Sequence, residues 1–263
     1  AVYFASFDRH LYALDAETGT RRWSTNTGNF VVSSPAIGGD GTLFFGSFDA
    51  HVYAVAPQDG SILWKVPTGG PIYASPALAP DGRIYIGSSD GNLYAIEPDG
   101  PAVAWTFYTG DAIRGSASIG PDPEGRCPYL VYFASGNGHV YALEPGGARR
   151  WSLDTHAEGN PLDSPNINAS IALGRWGLAA AAASGNVFYI PYAHYLAAPD
   201  DAAIDRRPGD GYPENGTFLY AMTPGGRIAA KPLGAEARET LVEPNQPLSF
   251  RVLARRSGRT VPV

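Results

Sequence analysis

The sequence predicts an all-β fold built from repeated four-stranded antiparallel units, and three observations predict it. Tryptophan recurs at a near-fixed interval: Trp23, Trp64 and Trp105 stand 41 residues apart, and Trp151 follows after 46. The text ahead of each repeats in register. It runs from Phe7-Asp8-Arg9-His10-Leu11-Tyr12-Ala13-Leu14 through Phe48-Asp49-Ala50-His51-Val52-Tyr53-Ala54-Val55 and Ser89-Asp90-Gly91-Asn92-Leu93-Tyr94-Ala95-Ile96 to Gly136-Asn137-Gly138-His139-Val140-Tyr141-Ala142-Leu143. Pairs such as Asp81-Gly82, Asp90-Gly91 and Asp99-Gly100 punctuate the units and supply the positive φ angles of tight hairpins. Four strands of about five residues at this period make the blade of a β-propeller.

Taken in order, the first unit (1–28) opens on an apolar strand and lacks a counterpart to the first strand of the later units. The second covers 29–69. The third (70–110) is the clearest, with strands predicted over 72–78, 83–88, 92–97 and 103–108. The fourth (111–155) carries an insertion at 121–128 between its first two strands, which reads as a surface loop. The fifth (156–235) starts at Asp163-Ser164-Pro165-Asn166-Ile167, an echo of Ser33-Ser34-Pro35-Ala36-Ile37. It ends at 217–228, which matches a third strand, a turn and the start of a fourth, without the tryptophan. An insertion at 195–215 holds Asp200, Asp201, Asp205, Asp210 and Glu214. Their spacing is not the alternation of a calcium loop, so a solvated excursion is expected. From 236 to 263 a linker leads into Leu248-Ser249-Phe250-Arg251-Val252-Leu253-Ala254-Arg255, which alternates as a strand does. This tail either closes the ring against the first unit or opens an immunoglobulin-like module.

Composition narrows the function classes. A chain that is 44% hydrophobic and 17% charged can bury a core, and 32 glycines and 23 prolines spread along it imply many turns. A net charge of −6 argues against nucleic-acid binding, which is built on a basic stripe. No run of 18 apolar residues occurs, so no transmembrane helix is expected. The opening residues Ala1-Val2-Tyr3-Phe4-Ala5-Ser6 have no basic region or long apolar core, so no signal peptide is expected in this segment. The single Cys127 excludes an internal disulfide.

The run Ala13-Leu14-Asp15-Ala16-Glu17-Thr18-Gly19-Thr20-Arg21-Arg22-Trp23 resembles the tryptophan-docking motif of pyrroloquinoline-quinone-like (PQQ-like) repeats, Ala-x-Asp-x-x-Thr-Gly-x-x-x-Trp. Later copies keep Ala54, Gly60 and Trp64, then Ala95, Gly100 and Trp105, then Ala142, Gly147 and Trp151. The glycine sharpens the turn between third and fourth strands, and each indole can remove about 200 Å² from water against the neighbouring blade. Trp23, Trp64, Trp105 and Trp151 are therefore expected to dock blades. The resemblance implies a ring of seven or eight blades, so about five blades here read as an incomplete ring.

The resemblance also implies two kinds of relative. One is the propeller lipoprotein of outer-membrane assembly, a scaffold without chemistry of its own. The other is the quinoprotein, which holds a quinone over a calcium ion, uses an aspartate base and carries a disulfide between adjacent cysteines. Cys127 stands alone, and no carboxylate matches the base or the calcium ligands by motif. The expected function is a non-catalytic scaffold for a protein or extracellular ligand, periplasmic, cell-surface or secreted, with no catalytic, cofactor-binding or metal-binding residue. The alternative is a fragment of an alcohol or sugar dehydrogenase using PQQ and calcium. A further one is the sensor domain of a receptor kinase.

Two sets of residues remain. His10, His51 and His139 share one repeat position with Asn92, just after a turn, where such side chains cap backbone groups. Aligning first strands on Ser34, Ser75, Ser116 and Ser164 places Val32, Tyr73, Arg114 and Leu162 at one position near the mouth of the central channel. The scaffold does not require this variation, so a recognition surface is expected there. Tyr73 and Arg114 are its anchors, because aromatic and arginine side chains dominate binding hot spots. Phe30, Tyr108, Asp111, His156 and Asp163 are its neighbours.

Overall fold

The computed structural model describes residues 1–155, 166–175, 177–183 and 187–192, and beyond them strands at 204–206, 218–222, 227–232, 238–241, 253–256 and 259–262. All elements among the described residues are strands. The first sheet holds β1 (Val2–Ala5), β2 (His10–Leu14) and β3 (Arg21–Asn26). The second holds β4 (Ala36–Ile37), β5 (Leu43–Ser47), β6 (His51–Val55) and β7 (Ile62–Pro67). The third holds β8 (Ala77–Leu78), β9 (Ile84–Gly87), β10 (Asn92–Ile96) and β11 (Val103–Tyr108). The fourth is β12 (Ser118–Gly120), β13 (Leu130–Ala134), β14 (His139–Leu143) and β15 (Arg149–Asp154). A fifth begins with β16 (Ala172–Leu173), β17 (Gly177–Ala181) and β18 (Val187–Pro191). Strands within these units pair antiparallel in chain order, which is the blade arrangement predicted from the repeat.

The core lies between successive sheets. Phe44, Val52, Ala54 and Val66 of the second sheet pack on Ile84, Ile86, Tyr94 and Ile96 of the third, and similar clusters join the first to the second and the third to the fourth. The second strand of the second, third and fourth sheets is covered on both faces, so β5, β9 and β13 are buried at every residue. That is why they read as unbroken apolar runs rather than as an alternation.

The docking motif acquires a geometric account. Each tryptophan stands opposite the motif alanine across the third and fourth strands: Ala13 with Trp23, Ala54 with Trp64, Ala95 with Trp105, Ala142 with Trp151. The register slips by one residue just beyond that pair in all four copies. The Trp23 indole donates to the Pro57 carbonyl in the next sheet at 3.0 Å, and Trp105 does the same to Pro145 at 2.9 Å. Gly60 sits at φ 76° with a Cβ position only 2.5 Å from the Trp23 ring, so both conformation and space demand glycine there.

Several expectations are corrected. The first strand of the third blade, predicted over 72–78, pairs within its own sheet only at Ala77–Leu78. Its earlier residues bond sideways: Ile72 N–H reaches Ser47 O and Ser75 N–H reaches Ser116 Oγ. In the fifth sheet the third strand is Val187–Pro191, and β20 (Phe218–Met222), read as a third strand from sequence, pairs outside it as the fourth. β21 (Arg227–Pro232) and β22 (Arg238–Leu241) extend that sheet to six.

The insertion expected to be a solvated excursion contributes β19 (Ile204–Arg206), which pairs parallel to β15 at the outer edge of the fourth sheet. Asp200, Asp201, Asp210 and Glu214 lie outside the described residues. In the tail, β23 (Leu253–Arg256) and β24 (Arg259–Pro262) form a hairpin of their own, while β1 pairs only with β2 among the described residues. The 121–128 segment is the surface loop expected between β12 and β13, and it folds around Asp122, whose side chain is 1% exposed.

Candidate binding surface

Antiparallel order places the connections at two edges of the array. The loops from second to third strand and from the fourth strand to the next sheet share one edge, and the remaining turns share the other. On the first edge a bonding pattern repeats. Thr27, Thr68, Thr109 and Thr155 N–H groups donate to the carbonyls of Arg9, Ala50, Gly91 and Gly138 at 2.8 to 3.1 Å. Asp49 Oδ2 accepts from Tyr53 Oη at 2.5 Å and from Gly28 N–H of the preceding sheet at 2.8 Å. Asp90 does the same for Tyr94 (2.6 Å) and Gly69 (2.7 Å). Burial and the Asp90 carboxylate push the Tyr94 hydroxyl up to about 12, and Tyr53 is raised for the same reasons. Desolvation of Asp90 is outweighed by its hydrogen bonds from Tyr94, Asn92 and Gly69, so its carboxyl stays below the usual range.

The repeated histidines complete these turns. His10 and His51 Nδ1 each donate to the carbonyl two residues earlier at 2.9 Å, and His139 does so at 3.2 Å. They belong to three different sheets and do not converge. Among the described residues no three His, Cys, Asp or Glu side chains are placed to share a cation. The donor set described here therefore does not fit the calcium-bound quinone of quinoproteins, and no chemistry is derived through that group.

A second ladder fixes the inner rim. Ser34 N–H donates to Ser75 Oγ, Ser75 N–H to Ser116 Oγ, and Ser116 N–H to Ser170 Oγ, at 2.9, 2.9 and 3.0 Å. Ser170, not Ser164, is thus the fourth member. The residue equivalent to Val32, Tyr73 and Arg114 is Asn168 in place of Leu162.

On this scaffold side chains line up. Phe7 meets Phe30 at 5.5 Å between ring centroids, Phe30 meets Phe48 at 6.3 Å, and Phe48 meets Tyr73 at 4.3 Å. The Arg114 guanidinium lies over the Tyr73 ring at 5.6 Å and donates to Asn168 Oδ1 at 3.3 Å. The row crosses the mouths of successive blades, and it is exposed: 66% at Phe7, 39% at Phe30 and 42% at Tyr73.

Of the residues singled out from sequence, Phe30, Tyr73 and Arg114 come together in this row. Tyr108 instead lies beside Gly91 at the outer end of β11. Asp111 is exposed on the same edge, its carboxylate taking the Ala112 N–H at 2.6 Å and its carbonyl taking Thr109 Oγ1 and Ser135 Oγ. His156 and Asp163 lie outside the described residues. Phe7, Phe48 and Asn168 were missed. The signal for the first two was present, because Phe, Phe, Ser and Gly occupy one repeat position at 7, 48, 89 and 136.

The opposite edge has a different character. Arg150 is held by Asp122 at 3.1 Å, Glu124 at 2.7 Å and Glu144 at 3.0 Å, which clamps the 121–128 segment to β15. Asp122 also accepts the N–H groups of Glu124, Arg126 and Cys127, and burial raises the nearby Cys127 thiol. These groups satisfy one another.

The family described as outer membrane protein assembly factor BamB matches residues 48–190, more than half of the chain. No curated protein matches significantly. Among solved structures, BamB from Moraxella catarrhalis is similar at 17% identity, over 90% of this chain and 72% of that one, with a TM-score of 0.61. At that identity the likeness bears on the fold.

Proposed function

Because the chain belongs to the family of the outer membrane protein assembly factor BamB, we propose that it is a non-catalytic propeller scaffold of an exported, outer-membrane-associated protein, holding a protein partner on its aromatic edge. The observation that carries this reading is the exposed row Phe7–Phe30–Phe48–Tyr73 ending in Arg114. Scattered surface aromatics are ordinary, but a contiguous row on a rigid rim is the composition of an interface core. The hydrogen bonds that hold the rim run through backbone groups, among them Phe48 N–H to Phe30 O, and through Asp, Thr and Ser side chains, so the four rings are left to serve recognition. No cofactor is called for.

A photo-crosslinking residue at position 73, with a control at Thr18 on the opposite edge, tests the proposal in cells that make the protein. A discrete protein adduct at 73 that is absent at 18 is expected. No adduct at 73, or identical adducts at both positions, would overturn it. Bleaching of a redox dye by the purified chain with PQQ, calcium and an alcohol would transfer the case to the dehydrogenase reading.

A further inference from the structure

We infer that the partner segment bound along this rim is an extended polypeptide stretch carrying apolar side chains on one side and a carboxylate that docks on Arg114. This deepens the scaffold reading above and rests on it. Three features of the row point to that occupant.

The first is ring attitude. Successive rings are tilted by 57°, 55° and 55°, a herringbone rather than a level platform. A sugar chain stacks on flat exposed faces, whereas a herringbone offers notches that take branched or aromatic side chains. The second is spacing. Centroids are separated by 4.3 to 6.3 Å, comparable to the roughly 6.6 Å between side chains on one side of an extended strand. Six or so residues of extended chain would span the row.

The third is charge. Arg114 is exposed, is pinned by the Tyr73 ring and by Asn168, and has no carboxylate within 4 Å among the described residues. A guanidinium has further N–H donors for a planar acidic group, and a fork already held by two contacts needs less ordering to bind one. The rest of the edge carries Asp8, Asp49 and Asp90, which would repel a polyphosphate chain. One carboxylate at the Arg114 end fits this field, and a string of them does not.

The test is selection of a phage-displayed library of random heptapeptides on the intact 263-residue chain, followed by fluorescence binding of synthetic winners. Enriched peptides should alternate apolar and polar residues and carry Asp or Glu near one end. Amidating that carboxylate should weaken binding at least fivefold on the wild-type chain and less than twofold on Arg114→Gln, with Arg114→Lys between. Arg114 is exposed, and unchanged thermal unfolding of both variants would show that the fold is intact. Winners without an acid, or an acid effect that survives in Arg114→Gln, would overturn the inference. So would no enrichment together with binding of a soluble heptaose. The crosslink at position 73 separates the two readings. If it persists while peptides fail, only this inference falls, and if both fail, the scaffold reading falls with it.

Discussion

The rim of the first two sheets and the rim of the third and fourth are built on the same bonds and finished differently. Thr27 and Thr68 close the turns of one half as Thr109 and Thr155 close those of the other. Ser47 Oγ bonds back to the preceding loop as Ser88 and Ser135 do. Yet Phe7 and Phe48 project where Ser89 and Gly136 stand, and Arg9 and Ala50 take the left-handed angle that Gly91 and Gly138 take elsewhere. Two halves with one scaffold and two surfaces separate what the fold requires from what it leaves free. In the first half that free choice is two phenylalanines, the second of which, Phe48, meets Tyr73 at the entry to the third sheet.

The largest expected effect checks that the scaffold is shared. Asp49→Ala strands the buried Tyr53 hydroxyl and releases the exposed Gly28 N–H to water, and Asp90→Ala strands Tyr94 in the same way, although Gly69 N–H keeps a bond to Tyr94 Oη at 3.1 Å. Each should cost about 2 kcal/mol, since the hydroxyl of a buried tyrosine left without its acceptor loses more than the bond itself. In urea unfolding the two variants should agree within about 1 kcal/mol. A larger gap would mean that the halves differ in framework and not only in finish.

Alkaline titration probes the same staples more gently. Tyr94 ionises at about 12 in the folded chain, chiefly because it is buried and then because Asp90 faces it, against roughly 10 when unfolded. A raised folded value means that the neutral hydroxyl is favoured in the native state. Its contribution is therefore complete below pH 10 and lost as pH rises through 12. Melting temperature should fall by a few degrees across that window beyond any change seen from pH 8 to 9.5, and Tyr94→Phe should flatten part of the slope.

The repeat made most of this fold legible. Asp-Gly pairs and the Tyr-Ala text of the third strand located four sheets, because hairpin turns and two-sided burial leave strong local marks. Register in the fifth sheet was not legible. Asp163-Ser164-Pro165 imitates Ser34-Pro35 closely, while the true equivalent, Ser170, is identified by a hydrogen bond from Ser116 that no sequence pattern announces. Tyr220-Ala221 likewise imitates a third strand although Val187–Pro191 holds that place. For the proposed rim, disagreement among copies singled out Phe30, Tyr73 and Arg114, which the structure brings into one row. Phe7 and Phe48 were passed over because they lie in a different loop, and only the blade geometry brings the second-to-third turn beside the entry to the next blade.

A smaller effect is expected from giving one half the finish of the other. Phe48→Ser should change stability by less than about 1 kcal/mol, because the ring is half-buried and packs against the rim rings Phe30 and Tyr73. It should nonetheless abolish most of the crosslink at position 73. If thermal unfolding drops steeply instead, the row is part of the core and the contrast between halves loses its functional meaning.

The smallest effect concerns the backbone beneath the aromatic row. Arg9 at φ 75° and Ala50 at φ 61° adopt a conformation that costs an ordinary L-residue roughly 1–2 kcal/mol, and they do so in the turns that carry Phe7 and Phe48. Ala50→Gly removes that penalty but restores freedom to the unfolded chain worth about 0.4–1 kcal/mol. A net gain of about 0.5 kcal/mol is left, readable as a shift of the urea midpoint at constant slope. Gly91→Ala cannot serve as a clean reverse test, since a methyl group there would come within 3.0 Å of the Tyr108 ring as well as straining the turn. A stabilised Ala50→Gly variant that keeps the position-73 crosslink would assign the strain to the turn and the recognition to the rings. A variant with no gain would mean the turn holds no strain, and the two halves would then differ in side chains alone.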